Sequence, residues 1–352
     1  CIRDSNKASI IKKTIEGDIS SEVPATYLQK HPNTTFVLNN EASEDLTRIN
    51  TPWIVSSCIW TEELASKAVL WLCELTKKSI LKLTDKDYND NGLSSLLVQE
   101  GNAYELNIKM FNKLQHTITG WPGGKPNSDD SKRPERSVPE RKRVIIFSPH
   151  PDDDVISMGG TFDRLVEQGH EVHIAYQTSG NIAVSDHEAL KFAEVIRDID
   201  GPNKILDQVI NDLKNKKSNE IDSRHTRLLK GIIRKRESLA ATRYLGLPDD
   251  HVHFMNLPFY ETGSIKKNPI SEIDIQMICK LIEDIKPHQI YAAGDLSDPH
   301  GTHKVCLDGL FAALQILKKE LFMHECWVWL YRGAWHEWDT HQIDMAVPMS
   351  PD

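Results

Sequence analysis

The sequence predicts a doubly wound α/β domain with a Rossmann-like, mostly parallel sheet over residues 143–352. From residue 144 onward, short apolar runs alternate with amphipathic helical stretches, which is the pattern of strands joined by crossover helices. In addition, polar segments rich in histidine and aspartate directly follow two of these apolar runs. Because ligands bind beyond the carboxyl ends of the strands in open α/β sheets, these segments mark the place where a site is expected.

The elements of this domain follow from the period of the apolar residues. We predict strands over 144–148, 171–178, 251–256, 288–293 and 326–331. We predict helices over 156–168, 187–197, 224–245, 271–285 and 301–318. The polar stretch 200–222 interrupts the alternation, which resumes with the helix over 224–245.

The chain before residue 143 divides into three further segments. Residues 1–60 are predicted to be a truncated α/β tail, with a helix over 7–17 and a β-rich stretch over 34–41. Residues 61–119 have a helical period and are expected to form a helical connector. Residues 120–142 combine Pro, Gly and alternating charges, which is typical of a solvated linker. The sequence begins at Cys1, without an initiator Met, and ends at MSPD. We therefore expect a piece of a longer polypeptide.

Composition narrows the classes of function. The formal net charge of -9 provides no general attraction to phosphate backbones, so nucleic-acid binding is not expected. The six cysteines form no C-x-x-C pair, which favours a reducing compartment. No run of 18 apolar residues and no secretory leader occur in the sequence, so we expect a cytoplasmic protein without a membrane span.

The first polar segment is SPHPDDD, residues 148–154, directly after strand 144–148. Its imidazole and carboxylate groups suit zinc or another divalent cation. The same aspartates would also serve as the N-cap of the following helix, and the segment alone leaves both interpretations open.

The second polar segment, DPHGTH, follows strand 288–293 and carries His300 and His303. Exposed loop histidines are the alternative here. Both segments together predict a catalytic metal site with three protein ligands, which His150, Asp153 and His303 would supply. Asp152 would then remain as the general base, and His300 as an acid or electrostatic partner.

Other polar residues are weaker candidates. His170 and His173 are spaced so that they point to opposite faces of a strand, and His251 and His253 follow a turn. Three further residues are expected near the crevice as contacts for substrate hydroxyls, although surface ion pairs are the alternative for the two arginines. These residues are Arg164, Asn181 and Arg236.

The motifs SPHPDDDVISMGGT and DPHGTH resemble the signature of the PIG-L/LmbE-like family of zinc-dependent N-deacetylases, over about residues 143–350. The resemblance implies that His150, Asp153 and His303 bind zinc and that Asp152 is the general base. Asp154 stands where that family usually has Glu, and we expect it to lie behind the metal ligands.

Residues 1–60 are similar to the C-terminal tail of glucosamine-6-phosphate deaminase/isomerase, through Lys7, TIEGDIS and VPATYLQKHPN. This resemblance implies that Lys7 contacts a sugar phosphate in the parent domain. The acid and base residues of that enzyme would precede Cys1, so this chain should not deaminate.

The sequence therefore predicts zinc-dependent hydrolysis of the acetamide of an N-acetylated amino sugar, a small-molecule substrate. Two alternatives remain open: the activity of a deaminase-like fusion protein lies in its missing N-terminal half, or the domain is a non-catalytic amino-sugar-binding module. The deaminase-like part of the parent would also allow a homo-oligomer.

Overall fold

The computed structural model describes residues 7–217, 220–264, 266–296, 298 and 300–350. The chain divides into two compact units. Unit 1 comprises Cys1–Thr119 and Trp338–Ala346, and unit 2 comprises Gly120–Glu337 and Val347–Asp352. In the described part of the chain, no helix combines the length and apolar character needed to cross a bilayer.

Unit 1 is helical. Apolar residues from the second half of this unit build a core of their own, in which Leu72, Tyr88 and Leu106 are fully buried. The longest helices begin at caps: Thr61 accepts a hydrogen bond from Leu64 N at the start of α4. The helices are α1 (Ala8–Glu16), α2 (Asn40–Ser43), α3 (Thr47–Asn50), α4 (Glu62–Thr76), α5 (Asp85–Asp90), α6 (Ser94–Glu100) and α7 (Ala103–Thr117).

The β-rich stretch expected over 34–41 is not a strand. Residues 34–39 are irregular, and Asn39 caps α2 by accepting a hydrogen bond from Ala42 N at 3.0 Å. β-Branched residues favour a strand only when a neighbouring strand pairs with them. Within the described part of unit 1 the stretch has no such neighbour, so the prediction was wrong.

Unit 2 contains a five-stranded parallel sheet with the order β3-β2-β1-β4-β5, which confirms the predicted fold class. The strands are β1 (Arg143–Ser148), β2 (Glu171–Tyr176), β3 (Val252–Phe254), β4 (Gln289–Ala293) and β5 (Trp327–Tyr331). The connecting helices are α8 (Asp153–Glu167), α9 (Asp186–Asp200), α10 (Lys204–Asn215), α11 (Arg224–Tyr244), α12 (Glu272–Ile285) and α13 (Thr302–Leu317).

The central strands are buried on both faces, as expected for a doubly wound sheet. In β1, Ile145 and Phe147 join the core built with α12 and α13, while Val144 and Ile146, which point to the other face, are also fully buried. The apolar run VIIF therefore reflects two covered faces and not a one-sided alternation.

The polar stretch 200–222 contains α10, which the sequence interpretation missed. Asn203 caps this helix, and Val209, Ile210 and Leu213 are buried in a small core shared with α9. These three positions have helical spacing, but the surrounding charged and amide residues concealed it.

Residues 120–142 are irregular, yet several of them are buried within unit 2. The Pro122 carbonyl accepts a hydrogen bond from Gln289 Nε2 at 3.0 Å. Lys142 is only 3% exposed, and its Nζ donates to the carbonyls of Arg136 and Pro139. The stretch is thus packed along the domain and is not a fully solvated tether.

Candidate metal centre and adjoining pocket

The two histidine-containing segments meet where the strand order of the sheet reverses. β1 lies between β2 and β4, and the crossover helices leave β1 and β4 in opposite directions along the sheet. The carboxyl ends of two such strands flank a crevice that is the usual ligand site of this architecture. The sheet topology therefore brings residues 148–154 and 294–303 together.

The loop after β1 holds its carboxylates inward. The His150 amide donates to Asp153 Oδ2 at 2.8 Å, and Asp153 is only 3% exposed. Asp152 occupies the N-cap position of α8, but its side chain makes no capping hydrogen bond. Neither Asp152 nor Asp153 therefore caps the helix with its side chain, as the helix-cap interpretation would require.

The loop after β4 is organised by a buried carboxylate that sequence reasoning did not single out. Asp298 is fully buried, and its two oxygens accept hydrogen bonds from the amides of His300 at 2.8 Å and His303 at 3.1 Å. Gly301 has φ 74°, a left-handed conformation that glycine adopts without strain. The turn directs His303 into the crevice from the first turn of α13.

Three ligand atoms form a nearly equilateral triangle. His150 Nδ1, Asp153 Oδ2 and His303 Nε2 are separated by 3.3 Å along each edge. Donor atoms about 2.0–2.2 Å from a tetrahedral zinc ion lie roughly 3.3–3.5 Å apart, so these positions fit three corners of a zinc tetrahedron. Of the described residues, these are the ones grouped closely enough to hold a metal ion.

Hydrogen bonding sets the orientation of the His303 ring. Its Nδ1 lies 3.1 Å from the Asp295 carbonyl, to which it can only donate. In the neutral ring with this tautomer the Nε2 lone pair points at the triangle, as in metal-bound histidines, whereas the protonated ring can donate from Nε2 to Asp153 Oδ2. The Asp295 carboxylate is itself held by the amides of Trp335 and His336.

The electrostatics of the triangle favour a negative carboxylate between two imidazoles. Burial alone would raise the pKa of Asp153, but hydrogen bonds from His150 and His303 lower it below its ordinary value. Burial opposes protonation of His303, yet its hydrogen bond to Asp153 and the nearby carboxylates raise its pKa. The crevice thus attracts a positive charge, which a cation can supply.

Asp154 lies behind the ligands, in a different environment from Asp153. It is fully buried, and it accepts hydrogen bonds from Tyr176 OH at 2.9 Å and Ser148 Oγ at 3.2 Å. Burial raises the pKa of its carboxyl to about 6. It supports the loop after β1 and does not point at the metal triangle.

Asp152 is paired with an arginine that sequence reasoning missed. Its Oδ2 accepts a hydrogen bond from Arg234 Nη2 at 2.6 Å, and Arg234 also contacts Glu237 Oε2 at 2.7 Å. Arg234 lies in the middle of α11, more than 80 residues from Asp152 in the sequence, so only the folded chain reveals this pair.

The metal triangle opens into a pocket of about 290 Å³. His300 and Lys267 both line this pocket, and His300 is exposed. Lys267 Nζ lies 3.6 Å from the centre of the Tyr260 ring. Burial lowers the pKa of Lys267 to about 8. The lining residues are His150, Asp152, Asp153, Ile156, Gly180, Ile182, Ala183, Arg234, Tyr260, Lys267, Asp298, His300, Thr302, Ala334 and Trp335.

The three expected hydroxyl-binding residues lie outside this lining. Arg164 pairs with Glu167 at 3.1 Å, and Arg236 is exposed on α11 two residues beyond Arg234. Asn181 is buried beside the pocket, where its Nδ2 donates to Glu261 Oε2 at 3.0 Å. The expectation that Arg164 and Arg236 line the pocket was therefore wrong. Asn181 contacts Glu261 instead of the pocket.

The remaining candidates lie elsewhere. Lys7 is an exposed residue of unit 1 at the N-cap position of α1. His173 Nδ1 lies 3.1 Å from His253 Nε2, and its ring stacks on His251 with 4.2 Å between centroids. His170 instead contacts the Lys142 amide, so it does not join them, as expected from its spacing.

Comparison with known proteins identifies the family that this region resembles. Residues 145–314 match the family model described as PIG-L: GlcNAc-PI de-N-acetylase. The match spans both histidine-containing segments and supports amide hydrolysis by deacetylation in the PIG-L-like region.

One relative matches almost the whole chain, and another matches a short part of it. A Bacteroides thetaiotaomicron protein named as glucosamine-6-phosphate deaminase-like is 56% identical over 361 residues, covering 99% of this chain and 54% of the relative. The glucosamine-6-phosphate deaminase of Lactobacillus acidophilus is 50% identical over 40 residues, or 11% of this chain and 17% of that enzyme. The chain thus spans about half of the long relative.

Solved structures share the architecture only distantly. The N,N'-diacetylchitobiose deacetylase of Pyrococcus horikoshii is 19% identical, with a TM-score of 0.33 over 52% of this chain and 53% of that one. The 4-carboxy-2-hydroxymuconate hydratase of Pseudomonas putida is 18% identical, with a TM-score of 0.34 over 51% and 59%.

Proposed function

We propose that the PIG-L-like region hydrolyses the acetamide of an N-acetylated amino sugar, using one divalent cation, with zinc as the first candidate. The observation that carries this proposal is the triangle of His150 Nδ1, Asp153 Oδ2 and His303 Nε2, with 3.3 Å edges, beside the carboxylate of Asp152. Two imidazoles and one carboxylate that leave a fourth position open are the donor set of a catalytic zinc site.

These three side chains would hold the cation, and Asp295 would fix the His303 ring through its carbonyl. A bound divalent cation supplies Lewis acidity, which lowers the pKa of water to about 7 and polarises a carbonyl oxygen.

Asp152 is the proton acceptor for the attacking water. Its side chain is 44% exposed and faces the pocket, whereas Asp153 is committed to the two imidazoles. The ion pair with Arg234 fixes the direction of the Asp152 carboxylate. A positioned carboxylate of this kind contributes roughly 10²–10⁴-fold to proton transfer.

His300 is placed to deliver a proton to the departing amine. Its backbone is fixed by Asp298, while its ring lines the pocket and is exposed. Loss of its imidazole should therefore slow the breakdown step without loosening the loop.

The substrate class rests on the pocket and on the relatives. A volume of about 290 Å³ suits one small polar ring, and Trp335, which is exposed, provides aromatic surface for a sugar face. The long Bacteroides relative carries a deaminase-like name. Deacetylation yields the free amino sugar that a deaminase consumes, so the two steps would follow one another in one polypeptide.

Two alternatives to deacetylation by this chain remain, and a measurement of its activity distinguishes them. In a longer protein the main activity could lie in the half that this chain does not span. A non-catalytic sugar-binding module, in turn, would not need a carboxylate beside an open metal position. Catalysis by this chain itself separates both alternatives from the proposal.

The test is acetate release by zinc-loaded protein from N-acetylglucosamine, its 6-phosphate and a short chito-oligosaccharide. Asp152→Asn is the control, because it removes the base while sparing the three ligands. We expect release from at least one sugar that exceeds the control by about 10²-fold. Release no higher than that of the control from any of the three would contradict the amino-sugar assignment.

A further inference from the structure

A second cavity, of about 500 Å³, lies along the N-terminal half of α11. Arg224, Arg227, Gly231 and Lys235 line it from positions three or four residues apart, so they share one face of the helix. Phe254, Asn256 and Glu261 line it from the segment that follows β3. We propose that this cavity binds a phosphate group carried by the substrate, an inference that rests on the proposed function.

The cavity adjoins the pocket of the metal centre. Pro151 Cδ would lie only 2.7 Å from a Cβ placed on Gly180, so Pro151 of the cavity packs directly against Gly180 of the pocket. Three residues of the cavity are chain neighbours of pocket residues: Pro151 of Asp152, Ser179 of Gly180, and Lys235 of Arg234. The two spaces therefore lie side by side, and in our proposal the ligand reaches from the metal triangle to the cavity.

The cavity is cationic in a chain whose net charge is -9. Within the described ranges, Arg224, Arg227 and Lys235 have no carboxylate partner, unlike Arg234, which pairs with Asp152, and Arg243, which pairs with Asp249. Lys235 instead places its Nζ 4.6 Å from the centre of the Phe254 ring. Their charges are thus available to a ligand.

One carboxylate lines the cavity, and it is occupied by other groups. Glu261 Oε1 accepts a hydrogen bond from Ser179 Oγ at 2.6 Å, and Oε2 accepts one from Asn181 Nδ2 at 3.0 Å. Three cations and one carboxylate leave an excess of two positive charges, to which the N-terminus of α11 adds a partial positive charge.

This donor set fits a phosphate monoester. Guanidinium groups bind phosphate oxygens with paired, charge-assisted hydrogen bonds, and an ammonium adds a point charge. The inferred substrate is accordingly an N-acetylated amino sugar that carries a phosphate on the side of the ring away from the acetamide.

The binding arm of the test uses inorganic phosphate and calorimetric titration of the full chain, with and without metal. The variant is Arg227→Gln/Lys235→Gln, and the matched control is Arg236→Gln, which changes an exposed arginine of the same helix outside both linings. We expect the Kd for phosphate to rise about 10-fold or more in the double variant and to stay within about 2-fold in the control. Circular dichroism establishes that each variant is folded.

The substrate arm compares kcat/KM for N-acetylglucosamine and its 6-phosphate. We expect the double variant to lose about 10-fold for the phosphorylated sugar, through KM, and to retain activity on the neutral sugar.

Absence of phosphate binding, or an equal rise of the Kd in the Arg236→Gln control, would contradict the proposed phosphate site. Phosphate binding with an unchanged ratio of kcat/KM would overturn its assignment to the substrate and give the cavity to a free anion. If no sugar releases acetate, the proposed function fails, while the titration still decides on the cavity.

Discussion

Two histidines three residues apart, His300 and His303, lie in opposite environments. His303 is 1% exposed and both ring nitrogens have partners, whereas His300 is exposed and its backbone amide donates to Asp298. The sequence pattern H-x-x-H does not distinguish a ligand from a pocket residue. The difference arises because the ring of His303 turns toward β1 and that of His300 toward the pocket.

This difference leads to a metal-content prediction. His303→Ala should reduce bound zinc from one equivalent to background, because only two ligands remain. His300→Ala is the matched control and should retain one equivalent. Elemental analysis after dialysis gives both values, and full occupancy in His303→Ala would contradict the proposed ligand set.

A second residue-scale prediction separates base from ligand. Asp152→Asn should retain zinc, since its carboxylate pairs with Arg234 and not with the imidazoles, but should lose about 10²-fold or more in kcat. Metal content and acetate release are measured on the same preparation. Joint loss of metal and activity would mean that Asp152 is a ligand.

At the scale of elements, β2 and β3 carry a histidine cluster formed by His173, His251 and His253. Burial and the neighbouring His251 charge lower the pKa of His173 to about 4, although Glu171 opposes the shift. Burial also lowers the pKa of His253, with His251 as the next cause and Asp250 opposing. The folded chain therefore favours the neutral forms of His173 and His253.

The lowered pKa of His173 determines how the free energy of unfolding changes with pH. A histidine with a lowered folded-state pKa binds a proton more readily when unfolded, so its contribution to stability is present above about pH 6.5 and is lost as pH falls toward 4. We expect His173→Gln to flatten the fall in unfolding free energy between pH 7 and pH 5, measured by denaturant titration. His187→Gln, at an exposed site, should leave it unchanged. An equal pH slope in wild type and His173→Gln would contradict this account.

At the scale of the whole molecule, each unit has its own apolar core, and all three proposed metal ligands lie in unit 2. Leu106 is fully buried in the core of unit 1. The stability of this core and the geometry of the metal triangle therefore depend on different residues.

Leu106→Ala should lower the free energy of unfolding of unit 1 by about 2–5 kcal/mol, the usual cost of a buried leucine truncation. Zinc content of the folded protein should remain at one equivalent. Tyr104→Ala, at a position 74% exposed on the same helix, is the control and should change stability little. Loss of zinc in folded Leu106→Ala would show that the two cores are coupled.

The local sequence determined most elements of unit 2, because each buried strand is a short apolar run and most helices have a clear apolar period. It also determined the motif residues that follow β1 and β4. It failed at α10, where polar residues concealed three apolar positions, and at 34–41, where the composition favoured a strand but the described residues of unit 1 offer no pairing strand.

Tertiary structure alone decided how the site is completed. The pairing of Asp152 with Arg234, the anchoring of the second loop by Asp298 and the position of Lys267 all join segments from different parts of the chain. Arg236 was expected in the pocket, but α11 presents Arg234 there instead. Periodicity reports which residues share a face of one helix, whereas the position of that face over the crevice is set by the packing of all the elements around the sheet.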